Sequence, residues 1–95
     1  MKTYYVYMMA CKKDGVLYMG VTNDLIRRVL EHKSDLLEGF TQRYRVHRLV
    51  WFDSTTDIDE AIQREKQIKK WRRQWKVELI GEENSEWVDL YDTIV

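Results

Sequence analysis

The stretch of residues 18–32, YMGVTNDLIRRVLEH, constrains the fold most strongly. It opens with an apolar run typical of a strand. Three polar residues follow, Thr22, Asn23 and Asp24, and their side chains can accept hydrogen bonds from the unpaired N–H groups of a first helical turn. The pattern therefore predicts the end of a strand, a short turn and a helix over about residues 23–33.

The predicted helix places an unusual pair of side chains at the border of its apolar face. With 3.6 residues per turn, Leu25, Val29 and His32 share one stripe, and Arg28 lies four residues before His32 on its edge. Long polar side chains occupy such a border when they have a partner, a ligand or a path to water. A guanidinium and an imidazole that converge there suggest an anion site.

Length and composition limit the chain to a modest set of functions. Its 95 residues make one small domain with one core, and the single cysteine, Cys11, cannot form an internal disulfide. The longest wholly apolar run, residues 4–11, is too short to span a bilayer or to form a signal sequence. We therefore expect a cytoplasmic protein with no membrane association.

Charge is unevenly distributed although the formal net charge is zero. Residues 61–77 carry seven Lys or Arg and one acid, Glu65, whereas residues 78–95 carry six acids and no Lys or Arg. The basic segment suits a polyanion such as nucleic acid. A solvated helix face explains the same pattern without any partner.

Residues 3–21 are predicted to form a β-hairpin. An aromatic run over residues 3–11 precedes Asp14-Gly15, a strong tight-turn signal, and an apolar segment returns over residues 16–21. Either a two-residue or a four-residue loop puts Tyr7 and Tyr18 on one face. The four-residue loop also places Gly20 opposite Tyr7, which leaves space beside the phenol. The two tyrosines fit either a core or a site.

The remaining pattern alternates loops, one strand and helices. Residues 34–44 form a connection that we expect to bind phosphates through Arg43, Arg45 and the following Arg48. A third, central strand is predicted over about residues 46–52, and a helix over about residues 58–70. A short helix over about residues 75–80 should stop at Gly81, before a final amphipathic helix capped by Asn84 and Ser85.

The helix over residues 58–70 contains a carboxylate in an unexpected place. Its apolar stripe is Ile58, Ala61, Ile62 and Ile68, and Glu65 falls in the middle of that stripe. An unpaired buried charge costs several kcal/mol, so Glu65 should meet a cation, a hydrogen-bond network or a metal ion. An ion pair with Arg28 or Arg72 is the structural alternative to a functional role.

Taken in order, these residues resemble the GIY-YIG nuclease family. YVY is followed eleven residues later by YMG, then by an arginine, a histidine four residues further on and a glutamate in a downstream helix. The segments TNDLIRR and EAIQREKQIKKW are similar to those of small stand-alone bacterial members. Tyr5, Val6 and Met19 depart from the family's motif letters, while both motif tyrosines are kept. The matching site residues are Tyr7, Tyr18, Gly20, Arg28, His32 and Glu65.

The resemblance implies an α/β fold: one compact domain with a three-stranded antiparallel or mixed sheet flanked by helices. It would span residues 1–80, with an acidic C-terminal extension over residues 81–95 packed on it. The implied activity is phosphodiester hydrolysis with one Mg²⁺ or Mn²⁺ bound by Glu65. Arg28 would hold the phosphate, and Tyr7, Tyr18 and His32 would position or deprotonate the attacking water. As a base, Tyr7 would need its pKa lowered by Arg28 or the metal.

We therefore predict a metal-dependent DNA endonuclease that acts on branched, nicked or single-stranded forms. A non-cleaving nucleic-acid-binding module of the same fold is the main alternative. A protein adaptor in which Glu65, Arg28 and His32 form a buried ion network is a third. A subset of basic residues is expected to contact phosphates: Lys33, Arg43, Arg45, Lys66, Lys69, Lys70, Arg72 and Arg73.

Overall fold

A computed structural model describes residues 2–37 and 39–95. One three-stranded sheet carries helices on both faces. The elements in chain order are β1 (Tyr4–Ala10), β2 (Leu17–Thr22), α1 (Leu25–Lys33), α2 (Phe40–Tyr44), β3 (Arg48–Thr55), α3 (Ile58–Lys69), α4 (Arg73–Glu83) and α5 (Tyr91–Ile94). The predicted fold class is confirmed.

The sheet is antiparallel throughout, with the strand order β2-β1-β3. Tyr7 pairs with Gly20 across β1 and β2, as the four-residue hairpin loop predicts. The prediction of a central third strand is wrong, because β1 is central and β3 lies at an edge. The third strand also runs on through residues 53–55, which we expected to end it.

Two apolar clusters pack on opposite faces of this sheet. Val6, Met8 and Ala10 of β1 face α3 and α4, where Ala61, Ile68 and Ile80 cover them. Tyr7 and Met9 point to the other face, where Leu25 and Val29 of α1 pack against them. Since side chains alternate along a strand, the two motif tyrosines lie on the face that α1 covers.

The turn between β2 and α1 fixes where that helix begins. The Asp24 side chain accepts a hydrogen bond from the Arg27 N–H at 3.2 Å, and the Thr22 hydroxyl accepts one from the Asp24 N–H at 3.0 Å. Leu25, Val29 and His32 are the buried residues of α1, as their shared stripe predicts. The helix therefore presents His32 to the sheet.

Two connections differ from the sequence-based predictions. The expected loop over residues 34–44 contains a short helix, α2, and its residue 38 lies outside the described residues. Gly81 does not stop α4, which continues to Glu83. Asn84 ends α4 instead, and its buried amide donates to the carbonyls of Val50 at 3.1 Å and Val88 at 2.8 Å.

The C-terminal segment lies along the outer edge of β3. The Leu90 N–H donates to the Leu49 carbonyl at 2.8 Å, and the Leu49 N–H donates to the Asp89 carboxylate at 3.1 Å. Lys33 also binds this carboxylate. Burial alone would raise the pKa of Asp89, but its hydrogen bonds from Lys33 and two backbone N–H groups outweigh that effect and lower it. None of the helices in residues 2–37 and 39–95 has the length and apolar character needed to cross a membrane.

Candidate active site

A buried hydrogen bond between a phenol and an imidazole lies at the centre of the candidate site. The Tyr7 hydroxyl and His32 Nε2 are 2.9 Å apart, and both side chains are almost inaccessible to solvent. β1 supplies the tyrosine from the middle of the sheet, and the last turn of α1 supplies the histidine. The strand and the helix that cross here are both held by the core, so this pair is rigidly placed.

Tyr18 and Gly20 of β2 complete the aromatic cluster. The Tyr18 ring centroid lies 5.2 Å from that of His32 and 6.4 Å from that of Tyr7. Gly20 lies directly under the phenol, because a Cβ at this position would come within 2.7 Å of the Tyr7 hydroxyl oxygen. A glycine is therefore required here by the close approach of the ring to the backbone.

Burial favours the uncharged forms of both Tyr7 and His32. Loss of hydration raises the pKa of Tyr7, with the Tyr18 phenol adding to the effect and the Arg28 guanidinium opposing it. Burial, reinforced by the Arg28 charge, lowers the pKa of His32 to about 4. Arg28 alone therefore does not lower the Tyr7 pKa below its ordinary value, as a tyrosine base would require. At neutral pH the site holds a protonated phenol beside an uncharged imidazole.

The uncharged imidazole has one nitrogen without a partner. His32 Nδ1 is buried and forms no hydrogen bond within residues 2–37 and 39–95. If Nδ1 carries the ring hydrogen, Nε2 is free to accept the phenol proton; in the other tautomer Nε2 donates to the phenol oxygen. Only the first arrangement prepares His32 to take a proton from Tyr7.

Arg28 lies on the solvent side of this pair. Its charge affects the pKa of both Tyr7 and His32, which places the guanidinium within electrostatic reach of the two rings. The side chain is 39 % exposed and pairs with Glu31 at 3.1 Å, one turn along α1. The three-residue spacing of Arg28 and Glu31 is the sequence signal for this pair. Arg28 therefore retains access to solvent and to an incoming anion.

Glu65 lies on α3, which packs on the sheet face opposite to Tyr7. Its side chain is 17 % exposed, and the carboxylate pairs with Lys69 at 3.2 Å. The alternative ion pair with Arg28 or Arg72 is wrong, since in the described residues the cation that meets Glu65 is Lys69. The partly buried position agrees with the apolar stripe in which Glu65 was predicted to fall.

An open pocket of about 240 Å³ lies at the outer edge of β2 and is lined by residues of both faces. Leu17 and Met19 point to the face that α3 covers, whereas Tyr18 points to the other, and all three line this pocket. Lys69, the partner of Glu65, lines it as well. The edge of β2 is thus the part of the molecule where α3 and the aromatic cluster approach one another.

Some of the predicted phosphate-binding residues form hydrogen bonds within the protein, whereas the side chains of others are exposed to solvent. Lys33 donates to the His47 carbonyl at 2.9 Å, and Arg73 donates to the carbonyls of Asp14 and Gly15 at 2.8 and 2.7 Å. These two hold the fold together. Arg43 lies 5.6 Å from the Tyr44 ring centre and Arg72 lies 5.0 Å from that of Trp75. The side chains of Arg45, Lys66 and Lys70 are exposed.

Glu65 is the candidate ligand for a divalent ion at this site. Across residues 2–37 and 39–95, no group of three or more His, Cys, Asp or Glu side chains is placed to hold a metal ion. Mg²⁺ is commonly bound through one or two carboxylates, with water and substrate phosphate as the other ligands. Glu65 offers one hard oxygen donor of this kind, provided that Lys69 shares it.

We expect the buried histidine to make the free energy of unfolding depend on pH. Its folded pKa of about 4 lies below the ordinary value of 6.5, so the unfolded chain binds the proton more readily. The stability from the neutral ring is complete above pH 6.5 and falls as pH drops to about 4, by on the order of 3 kcal/mol. NMR titration of the His32 Cε1–H measures the pKa of this ring in the folded protein, from which the pH dependence follows. The His47→Asn variant retains one histidine, so its signal is assigned to His32. A titration midpoint above pH 6 would contradict the prediction.

Comparison with known proteins gives consistent relatives. A family model described as the GIY-YIG catalytic domain matches residues 3–78. A UPF0213 protein of Staphylococcus saprophyticus is 35% identical over 82 residues, covering 86% of this chain and 99% of that protein. A UPF0213 protein of Clostridium perfringens is 38% identical over 77 residues, covering 81% of this chain and 82% of that protein. The solution NMR structure of a UPF0213 protein from Bacillus halodurans matches with a TM-score of 0.55 and 32% identity over 86% of each chain.

Proposed function

Because this chain belongs to the GIY-YIG family, we propose that it is a divalent-metal-dependent endonuclease that hydrolyses phosphodiester bonds in DNA. The observation that carries the proposal is the buried Tyr7–His32 hydrogen bond of 2.9 Å beside Arg28. Such a pair is costly to bury in a protein core, because both polar groups lose their hydration when it forms. Branched, nicked or single-stranded DNA is the proposed substrate, recognised by backbone and shape.

In the proposed reaction, the pair moves the proton of the attacking water. The water oxygen attacks phosphorus while its proton passes to the Tyr7 oxygen, and the phenol proton passes to His32 Nε2. The bond from phosphorus to the leaving sugar oxygen breaks, and that oxygen takes a proton from solvent. The relay needs no free phenolate. It leaves a proton on His32, whose pKa burial lowers to about 4, so the negative charge that builds up on the phosphate must stabilise the imidazolium in the reacting state.

Arg28 and Glu65 hold the other groups of this reaction. The Arg28 guanidinium can leave Glu31 and hold two phosphate oxygens in a fixed geometry. The Glu65 carboxylate would hold Mg²⁺ or Mn²⁺. The bound ion would supply Lewis-acid stabilisation of the charge on the phosphate oxygens. Tyr18 orients His32 by ring contact at a centroid distance of 5.2 Å.

A non-cleaving nucleic-acid-binding module is the second candidate. The Glu65–Lys69 ion pair at 3.2 Å favours it, because a metal ion would have to compete with the lysine for the carboxylate. The two candidates are separated by incubating the purified protein with flap, fork, nicked and duplex DNA in Mg²⁺ or Mn²⁺. Cleavage that chelation abolishes supports the nuclease, and binding without any cleavage supports the module.

DNA affinity should fall steeply with salt, whichever candidate holds. Each neutralised phosphate on duplex DNA contributes about 0.9 to the slope of log affinity against log salt. Lys66 and Lys70 are exposed on or beside α3, so replacing each by Gln should reduce the slope by about that amount and weaken all sequences alike. Binding titrations at several salt concentrations measure the slope.

Lys13→Gln is the matched control for this experiment. Lys13 is also exposed, but it already pairs with Glu86 of the acidic segment at 2.9 Å. Its replacement should leave the slope unchanged. An unaltered slope for Lys66→Gln and Lys70→Gln would remove these residues from the proposed surface.

A further inference from the structure

Aromatic rings continue outward from the buried histidine to the surface. The Tyr18 ring lies 5.2 Å from His32 and 6.3 Å from Phe40, and Phe40 lies 4.8 Å from Tyr44. Phe40 is 46% exposed and Tyr44 is 42% exposed. The inner rings of this series belong to the candidate site, whereas its outer two present their surface to water.

The outer two rings do little for the core. Both belong to the five-residue helix α2, in which Thr41 is the buried residue. Phe40 and Tyr44 are four residues apart and so project from the same side of this helix. Leaving two large rings exposed beside each other forgoes the stabilisation that their burial would give. Such adjacent exposed rings are typical of binding surfaces.

Cations accompany these rings on both sides. Phe40 and Tyr18 line the open pocket at the edge of β2 together with Lys69 and Lys76, and the remaining walls are apolar. On the other side, the Arg43 guanidinium lies 5.6 Å from the Tyr44 ring centre. Ring surface for a flat apolar group, flanked by positive charge for an anion, matches the two chemical parts of a nucleotide.

We propose that Phe40 and Tyr44 bind an unpaired nucleobase next to the phosphate held at the candidate active site. This inference rests on the proposed function, and it specifies the substrate as DNA with single-stranded nucleotides at the point of attack. Bases inside a duplex are stacked on their neighbours and offer no free face, so a blunt duplex cannot use these rings. Arg43 would hold a phosphate beside the base. Lys69, paired with Glu65, and Lys76, which donates to the Lys69 carbonyl at 3.2 Å, would add positive charge near the next phosphate.

The exposed Trp75 is the competing platform. Its ring meets that of Trp71 at 81°, edge to face, and the Arg72 guanidinium lies 5.0 Å from its centre. It lies on α4 and does not line the pocket that contains Tyr18 and Phe40. Trp75→Leu is therefore both a matched control for ring removal and a test of the competing platform.

The test measures binding of fluorescent DNA by anisotropy in the presence of a chelator, so that cleavage plays no part. Three probes are used: an oligothymidine strand, the same strand with abasic sites and a blunt duplex. Phe40→Leu should weaken oligothymidine binding roughly tenfold and change duplex binding less than about twofold. Abasic sites should weaken the wild type to the same degree and Phe40→Leu no further. Phe40→Tyr should bind like the wild type, and Tyr44→Leu should lose affinity as Phe40→Leu does.

The outcomes separate this inference from the proposed function. Equal losses on single-stranded and duplex DNA, undiminished binding of the abasic strand or a loss in Trp75→Leu alone would each overturn the base-binding role. Melting temperatures within a few degrees of the wild type show that the variants fold. A base-dependent affinity in a protein that cleaves nothing would refute the hydrolysis and leave the inference standing. Cleavage without base dependence would do the reverse.

Discussion

Glu65→Gln is expected to reduce metal-dependent DNA cleavage by about a thousandfold or more while the protein remains folded. Loss of the carboxylate proposed to hold the ion removes on the order of 4 kcal/mol of transition-state stabilisation. The folded state loses little, because the Glu65–Lys69 pair spans one helical turn and its lysine is 60% exposed. Such pairs contribute about 0.5 kcal/mol. Cleavage rates, DNA affinity and melting temperature are measured on the same samples.

DNA binding by Glu65→Gln should be unchanged or tighter, because one negative charge near the phosphates has gone. Glu60→Gln is the matched control, since it removes a carboxylate from the first turn of the same helix, where Glu60 accepts a hydrogen bond from Thr55 at 3.2 Å. It should cleave at the wild-type rate. Full activity in Glu65→Gln would remove Glu65 from the proposed metal site. A large fall in its melting temperature would assign Glu65 a structural role.

Gly20→Ala is expected to lower the melting temperature by on the order of 10 °C and to abolish cleavage. The added methyl group would lie 2.7 Å from the Tyr7 hydroxyl oxygen and 2.9 Å from Cζ of the ring. The ring is fully buried and bonded to His32, so it has no space to retreat into. Overpacking of this kind costs about 1–3 kcal/mol, and each kcal/mol shifts the melting temperature of a domain this small by about 4–8 °C.

Gly81→Ala provides a control with the opposite sign. Gly81 lies inside α4, and a Cβ there would meet nothing within 4 Å. Alanine in an exposed helical position is more stable than glycine by about 0.5–1 kcal/mol. Thermal unfolding should therefore rise for Gly81→Ala and fall for Gly20→Ala. Equal shifts in the two variants would mean that Gly20 is not held against the phenol.

The hairpin and α1 could be predicted because short-range rules determine both. Loop length fixes which residues of two antiparallel strands face each other, and either loop around Asp14-Gly15 places Tyr7 and Tyr18 on one face. The structure selects the four-residue loop, which pairs Tyr7 with Gly20. The spacing of Leu25, Val29 and His32 likewise fixed the buried face of α1. The Tyr7–Gly20 half of the candidate site therefore follows from a pattern of a few adjacent residues.

Features that depend on distant segments could not be predicted in the same way. β3 is rich in buried apolar residues and so resembles a central strand, but it lies at an edge of the sheet. The C-terminal segment bonds to the outer side of this strand, and the strand's own sequence does not predict that. The depth of Tyr7 in the fold, which raises its pKa, is set by α1 and both neighbouring strands together. Phe40 and Tyr44 have a helical spacing of four residues, but the segment over residues 34–44 with its Gly39 predicts a loop, so the sequence does not predict α2.

The hydrogen bonds from the C-terminal segment to β3 bear on how copies of this protein behave at high concentration. An open strand edge invites pairing with the edge of another molecule, which leads to domain exchange and aggregation. Here Asp89 and Leu90 occupy the polar groups of Leu49, and the Asn84 amide occupies the Val50 carbonyl. The C-terminal segment thus occupies backbone groups near the start of β3 that an open edge would offer to a strand of another molecule.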